Sequence, residues 1–205
     1  MAIAILPLMH RLLLLVPAIS FLALWIGKTQ DSPKPAAPPA PDAAAMAAIF
    51  QPPLTALDRL PRSAEDQAKV DLGRHLYYEK RLSSNNKISC NSCHLLDKYG
   101  VDGVAFSLGV PGEPVGRNSP TVYNAFFHIA QFWDGRAATV EEQAKGPILA
   151  GKEMGMPSAA AVVAKLKGIR EYPPLFKKAF PRDDDAVNYM NVGTAIGAFE
   201  RNLVT

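Results

Sequence analysis

The feature that most constrains this chain is the segment ISCNSCHLL, which contains both of its cysteines. Cys90 and Cys93 lie three positions apart, and His94 follows the second one directly. A C-x-x-C pair can form a redox disulfide or half of a zinc site, and with a histidine next it is typical of covalent c-type haem attachment. Zinc would require two more ligands at short spacing, but the other histidines are single and distant (His10, His75, His128). The motif therefore favours a haem.

Each residue of the motif has its own role in such a site. The thiols of Cys90 and Cys93 form thioethers with the vinyl groups of the porphyrin, and the imidazole of His94 becomes an axial ligand of the iron. A short helical turn places both sulfurs along one edge of the haem and the histidine beneath the ring. We therefore expect one covalently bound haem c and a short helix that begins at this motif.

The N-terminal segment, residues 1–27, is almost wholly apolar. Arg11 supplies a positive end, and an uncharged apolar run follows from Leu12 to Ile26. This pattern predicts an export signal or a membrane anchor, because no polar face exists for a helix at a protein surface. The long run without a nearby small-x-small cleavage site favours the anchor. We expect the rest of the chain to be periplasmic and tethered to the inner membrane.

A composition change then divides the chain. Residues 28–61 are rich in proline and alanine, which favours an extended linker without helix or sheet pairing. A haem domain is predicted for residues 62–205. The formal net charge of +3, with mixed signs along the chain, does not indicate a nucleic-acid partner.

The domain shows helical periodicity and no sustained alternation, which predicts an all-α fold with the haem as part of the core. Ser63 and Ser158 are expected to cap helices. The glycine- and proline-rich stretch from Lys98 to Pro120 is too irregular for regular elements and is predicted to be a functional loop. Helices are expected within residues 64–82, 121–130, 139–149, 158–169, 172–180 and 185–204, beside the short one at the cysteines. The helix within YPPLFKKAF is expected to start after its two prolines.

Several motifs together carry a family resemblance. They are LGRHLYYEKRLSSNNKISCNSCH, GRNSPTVYNAFF, QFWDGRA, EEQAKGP, EMGM and AIGAFERNLVT, in this order between Asp71 and Thr205. The chain thereby resembles the N-terminal haem domain of the bacterial di-haem cytochrome c peroxidases, which include the MauG-like enzymes. The resemblance implies a cytochrome c-like domain in which Cys90, Cys93 and His94 hold the haem that binds hydrogen peroxide.

The same resemblance implies roles for residues beside the haem. Gln143, Pro147 and Glu153 match residues on the peroxide-binding side, where Glu153 would move a proton between the two peroxide oxygens. Trp133 matches an aromatic residue on the electron path between two haems, and Asn118 matches a residue that helps to bind calcium. Taken alone, the tryptophan would be a core aromatic, the glutamate a solvated surface charge and the asparagine the start of a turn.

Two departures from the family pattern stand out. Where many relatives carry a histidine that caps the iron, this chain has Val110, which cannot ligate a metal. The haem is therefore expected to have an open or water-bound sixth position, with Met154 and Met156 as substitute ligands if it does not. A single C-x-x-C-H is present, so either the sequence is a fragment or a second domain or chain supplies the electron-transfer haem.

The sequence accordingly predicts reduction of hydrogen peroxide to water, with electrons from a small cytochrome or cupredoxin. Two alternatives stay open at this point. One is a mono-haem c-type electron carrier, which would need a strong sixth ligand such as methionine or histidine. The other is a MauG-like oxidase that acts on a protein substrate. The sixth iron ligand distinguishes the carrier from the peroxidase.

Overall fold

The structure is a computed structural model that describes residues 63–205. The anchor predicted for residues 1–27 and the linker predicted for residues 28–61 lie outside this range. Within it, no helix is both long enough and apolar enough to cross a membrane.

The described residues form a helical domain. The α-helices are α1 (Ala64–Tyr78), α2 (Cys90–Cys93), α3 (Val140–Leu149), α4 (Ala159–Lys167), α5 (Tyr172–Ala179) and α6 (Tyr189–Glu200). Short 3₁₀ helices lie at Lys80–Leu82, Leu96–Lys98 and Ala125–Phe127. From residue 63 onward there is no strand, only two isolated β-bridges, Leu108–Pro114 and Gln131–Ala137. The all-α prediction is confirmed for this part of the chain.

Short polar side chains begin the longer helices, as the sequence predicted for two of them. The Ser63 hydroxyl accepts from the backbone N–H of Asp66 at 3.0 Å, and the Ser158 hydroxyl accepts from Ala161 at 3.1 Å. Each bond satisfies one of the backbone donors that a helix N-terminus leaves unpaired. Thr139 and Asn188 do the same for α3 and α6.

The helix predicted over residues 121–130 is wrong except for one 3₁₀ turn, Ala125–Phe127. Asn124 precedes this turn in the left-handed region, at φ 61°, which interrupts any longer helix. The side-chain amide of Gln131 then donates to the carbonyl of Ala125 at 2.8 Å and holds the chain in a compact loop. His128, expected within a helix, instead follows the turn with an extended backbone.

The prolines of YPPLFKKAF lie inside helix α5 rather than before it, which corrects the predicted start. The helix begins at Tyr172, so Pro173 and Pro174 occupy its first turn. Proline is tolerated there because its missing N–H would have no intrahelical partner in any case.

The core forms mainly between α1 and α6, and α3 packs against the other face of α6. Gly73 permits the close approach of α1: a Cβ at this position would lie 1.9 Å from the carbonyl oxygen of Ala195 on α6. Leu72, Leu76 and Ile196 are fully buried in the resulting core. Each such side chain contributes about 1.5–3 kcal/mol relative to its exposed state. This packing fixes the helices that bound the site described next.

Candidate haem site

A cavity of about 540 Å³ lies between α2, α3, the end of α6 and the loops of residues 107–134. The three residues of the C-x-x-C-H motif line it together with a mostly apolar wall. Its volume lies within the range of about 300–1,000 Å³ that is usual for small-molecule and cofactor sites.

Helix α2 presents the two cysteines to this cavity. Its first turn is fixed by the Ser89 backbone N–H, which donates to the Ser92 hydroxyl at 3.0 Å. Cys90 and Cys93 are free thiols and do not form a disulfide with each other. Burial raises the pKa of both thiols, and the nearby Glu200 adds to the effect at Cys90. Both side chains are therefore held in the protonated form on the wall of the cavity.

His94 directly follows the helix with one ring nitrogen already engaged. Its Nδ1 lies 2.9 Å from the carbonyl oxygen of Pro120, an arrangement in which Nδ1–H donates. This bond fixes the tautomer and leaves the Nε2 lone pair for a metal, as in other metal-ligating histidines. Burial lowers the pKa of His94, which favours the neutral imidazole that coordinates iron. The hydroxyl of Tyr77 donates to the carbonyl of His94 at 2.7 Å and holds the same backbone.

The residues matched to the peroxide-binding side come together at this cavity. Gln143 and Pro147 project from α3, Glu153 lies in the turn after it, and all three line the cavity. The carboxyl of Glu153 is half-buried, and burial raises its pKa, although the guanidinium of Arg136 acts in the opposite direction. Glu153 is thus not the solvated surface charge that its type alone suggests, but a half-buried carboxyl with a raised pKa beside the cavity.

Val110 does not line this cavity. Its backbone N–H donates to the carbonyl of Glu153 at 2.8 Å, and its carbonyl accepts from the Asn85 amide at 3.0 Å. Its side chain packs towards Gly155. Of the two methionines considered as iron ligands, Met154 lines the cavity, whereas Met156 is buried elsewhere. The open sixth position stays a prediction.

Trp133 and Asn118 are joined at the rim of the cavity. The indole N–H of Trp133 donates to the carbonyl of Asn118 at 2.8 Å, and 64% of the tryptophan is exposed. It is therefore not a core aromatic. The Asn118 amide donates to the carbonyl of Val104 at 2.7 Å, which leaves its Oδ1 available. In the part of the chain described, no three His, Cys, Asp or Glu residues cluster as a metal site, so calcium binding by Asn118 stays a prediction.

Sequence reasoning missed several charged residues that line the same cavity. Arg117 and Arg136 both form ion pairs with Asp134 at 2.8 Å. Hydrogen bonds from the two guanidinium groups, with Arg117 making the larger contribution, lower the pKa of the Asp134 carboxyl to about 2. The guanidinium of Arg136 also stacks 3.4 Å above the ring of Phe132. The only sequence signal was that both arginines stand inside motifs already singled out, GRNSP and WDGR. Lys152, His128 and Glu200 complete the polar lining.

The donor set fits a haem. It combines two free thiols, a histidine with a free Nε2 and a mostly apolar cavity. The helical fold and this site define a c-type haem protein.

The comparisons give the family. The profile of the di-haem cytochrome c peroxidase family matches residues 67–205, and the chain belongs to this family. It is 41% identical to the cytochrome c551 peroxidase of Pseudomonas aeruginosa over 77% of this chain and 45% of that protein. It is 42% identical to the cytochrome c peroxidase Ccp of Escherichia coli over 68% of this chain and 30% of that protein.

The family also contains MauG-type relatives of this chain. The methylamine utilization protein MauG of Methylophilus methylotrophus is 37% identical over 67% of this chain and 40% of that protein. The crystal structure of a MauG-like protein associated with microbial copper homeostasis superposes with a TM-score of 0.65 at 31% identity, over 76% of this chain and 45% of that one. The chain therefore spans less than half the length of each of these relatives.

Proposed function

We propose that this domain binds one haem c through Cys90, Cys93 and His94 and reduces hydrogen peroxide to water at that haem. The observation that carries the proposal is Glu153, a half-buried carboxyl with a raised pKa on the wall of the cavity that His94 lines. Cleavage of the peroxide O–O bond needs a group that can first accept and then return a proton. The named peroxidase relatives support the same activity.

When bound, the haem supplies an iron that takes up peroxide and delivers electrons to it. The chain supplies the rest. The carbonyl of Pro120 orients the His94 ring, so that Nε2 presents its lone pair to the iron. The amide of Gln143 is a hydrogen-bond donor for the peroxide. The carboxylate of Glu153 accepts the proton of the near oxygen and returns it to the far oxygen, which then leaves as water. Two electrons from the donor protein and two protons from solvent convert the near oxygen to the second water.

The electrons come from a small redox protein, a cytochrome or cupredoxin, through a second haem domain or chain. Trp133 is the proposed entry point, because its ring is largely exposed at the cavity rim and its N–H is fixed on Asn118. Asn118 Oδ1 would contribute one ligand to a calcium ion at that junction. The apolar N-terminal sequence supports a periplasmic location with a membrane tether.

The test is steady-state peroxidase turnover of the haem-loaded protein, reconstituted with its electron-donating partner. Replacing Glu153 by Gln should slow turnover by roughly a hundredfold or more, the usual effect of losing a general acid–base. Cyanide binding should hardly change, because the iron and its access stay the same. The matched control is Glu142→Gln, an exposed glutamate in the first turn of α3 that is paired with Lys145 and does not line the cavity, which should retain the wild-type rate. Equal rates for the Glu153 and Glu142 variants would reject the proposal.

A second candidate is a MauG-like oxidation of a protein substrate. The largely exposed Trp133 favours it, because an indole at the surface could pass oxidising equivalents to another protein. Peroxide treatment without an electron donor separates the two. Under the second candidate, a bound partner protein is oxidised, and Trp133→Phe abolishes this oxidation while peroxide still reacts at the haem.

A further inference from the structure

Glu200 is a buried carboxyl on the haem cavity to which the proposed peroxide chemistry assigns no role. It is the last residue of α6, only 6% exposed, and it lines the cavity. Across residues 63–205, no side-chain hydrogen bond or ion pair reaches its carboxyl group. Burying an acid without a partner is costly, so such a group is usually either neutral or functional.

The neighbours of Glu200 do not compensate its charge. Tyr77 on α1 and Cys90 on α2 face it, and its charge contributes to the raised pKa of each. Glu141 on α3 is a second carboxyl, and Arg201, the residue that follows Glu200 in the chain, is paired with Glu141 at 2.6 Å.

The cavity itself carries further ionisable groups. These are His94, His128, Glu153, Asp134, Arg117, Arg136 and Lys152. The two arginines are paired with Asp134. Glu200 is therefore the buried acid on the Cys90 side of the cavity that has no charge of opposite sign assigned to it.

We propose that Glu200 takes up a proton when the haem of this cavity is reduced and releases it when the haem is oxidised. One electron passes from the donor protein to the ferric iron, and one proton passes from solvent to the Glu200 carboxylate. Added negative charge beside a poorly hydrated carboxylate favours its protonated form, because like charges repel strongly where water is excluded. Burial, with Glu141 adding to it, raises the pKa of Glu200 to about 8, so the group can titrate near neutral pH.

The inference rests on the haem site of the proposed function but not on its peroxidase chemistry. The experiment is a spectroelectrochemical titration of the full-length haem-loaded protein at a series of pH values. Reduction coupled to one proton lowers the midpoint potential by up to about 59 mV per pH unit, since a tenfold change in a one-electron equilibrium corresponds to 59 mV. The midpoint potential of the wild-type protein should fall with this slope over the pH range in which Glu200 titrates.

The Glu200→Gln variant should lose the part of the pH dependence of the midpoint potential that Glu200 contributes. Its potential should match wild type at acid pH and exceed it at alkaline pH, because a neutral amide replaces a carboxylate. The control Glu141→Gln should keep the slope but move it to lower pH, because Arg201 holds Glu141 ionised and the Glu141 charge adds to the raised pKa of Glu200. A second control, Glu153→Gln, removes the other cavity glutamate and should also keep the Glu200 contribution.

An unchanged slope in Glu200→Gln would overturn the inference. A second measurement needs wild type alone: electrochemical reduction in weakly buffered solution with a pH-indicator dye. The protein should take up protons near the pKa of Glu200, and the absence of uptake would reject the role even if the variant failed to load haem. If wild type carries no covalent haem, the proposed function fails as well; a loaded haem with no pH response rejects only Glu200.

Discussion

The Nδ1 atom of His94 lies 2.9 Å from the carbonyl oxygen of Pro120, at the boundary between the haem-attachment motif and the loop that closes the cavity. The bond joins two segments that are 26 residues apart. It sets the orientation of the His94 ring before any metal binds. The loop that carries Pro120 therefore helps to position the proposed iron ligand.

Haem attachment should be covalent. Both thiols face the cavity, and neither is used in a disulfide. After acid–organic extraction, the haem should remain with the wild-type polypeptide. Cys93→Ser should weaken or abolish this retention, because only one thioether can form. Complete extraction of haem from wild type would contradict the assignment.

The resting ferric haem should be largely high-spin. Val110 cannot ligate iron, and neither its backbone nor its side chain reaches the cavity. The absorption spectrum should show the charge-transfer band of high-spin ferric haem, and cyanide should bind readily. A fully low-spin spectrum that does not respond to cyanide would point to Met154 or His128 as a sixth ligand, and would favour an electron carrier. Met154→Leu and His128→Gln would then identify the ligand.

The acid limb of the pH–rate profile should report Glu153. The group must be ionised to accept a proton, and burial raises its pKa, so activity should fall at a higher pH than for an ordinary glutamate. Arg136 opposes this shift. Arg136→Gln should therefore move the acid limb further towards alkaline pH.

The matched control for this shift is Arg117→Gln, which removes the other arginine paired with Asp134. Arg117 does not contribute to the pKa shift of Glu153, so the limb should stay in place. Equal displacement in both variants would mean that the shift comes from a general change of the cavity rim.

Gly73→Ala should destabilise the fold by about 2 kcal/mol or more, because overpacked helix contacts cannot relax easily. The new Cβ would lie 1.9 Å from the Ala195 carbonyl oxygen, so α1 and α6 would have to separate. Urea denaturation of the haem-loaded protein measures the change. Gly151→Ala is the control, since nothing lies within 4 Å of its added Cβ. Similar losses in both variants would show that the helix contact is not the cause.

The sequence predicted the helices that have clear boundaries. Ser63 and Ser158 stand at helix starts, and the apolar residues that follow each of them recur at a spacing that predicts a helix. The segment around Asn124 could not be predicted, because its left-handed backbone and the Gln131–Ala125 hydrogen bond depend on tertiary contacts. The predicted start of α5 is wrong because proline marks a helix boundary in many sequences but is also compatible with a first turn.

The residues of the candidate site also differ in how far the sequence predicts them. Cys90, Cys93 and His94 were predictable because their chemistry depends on local spacing. Glu153 and Gln143 required a family resemblance, since nothing local distinguishes them from surface residues. Glu200 was not found by either route, because its lack of an ion pair among residues 63–205 depends on the tertiary structure, in which Arg201 pairs with Glu141 instead.

The backbone pairing of Val110 with Glu153 has a consequence for how peroxide enters. A side chain that caps the iron can rotate aside. The 2.8 Å hydrogen bond between the Val110 N–H and the Glu153 carbonyl cannot be broken in that way, because both of its groups are backbone groups. The next residue is held too, since Met154 accepts from the Ser84 N–H at 2.8 Å. Opening the cavity here would require local unfolding rather than a rotamer change. Under the proposed function, we therefore expect oxidant to enter through another part of the rim, with no side chain at position 110 that must first rotate away from the iron.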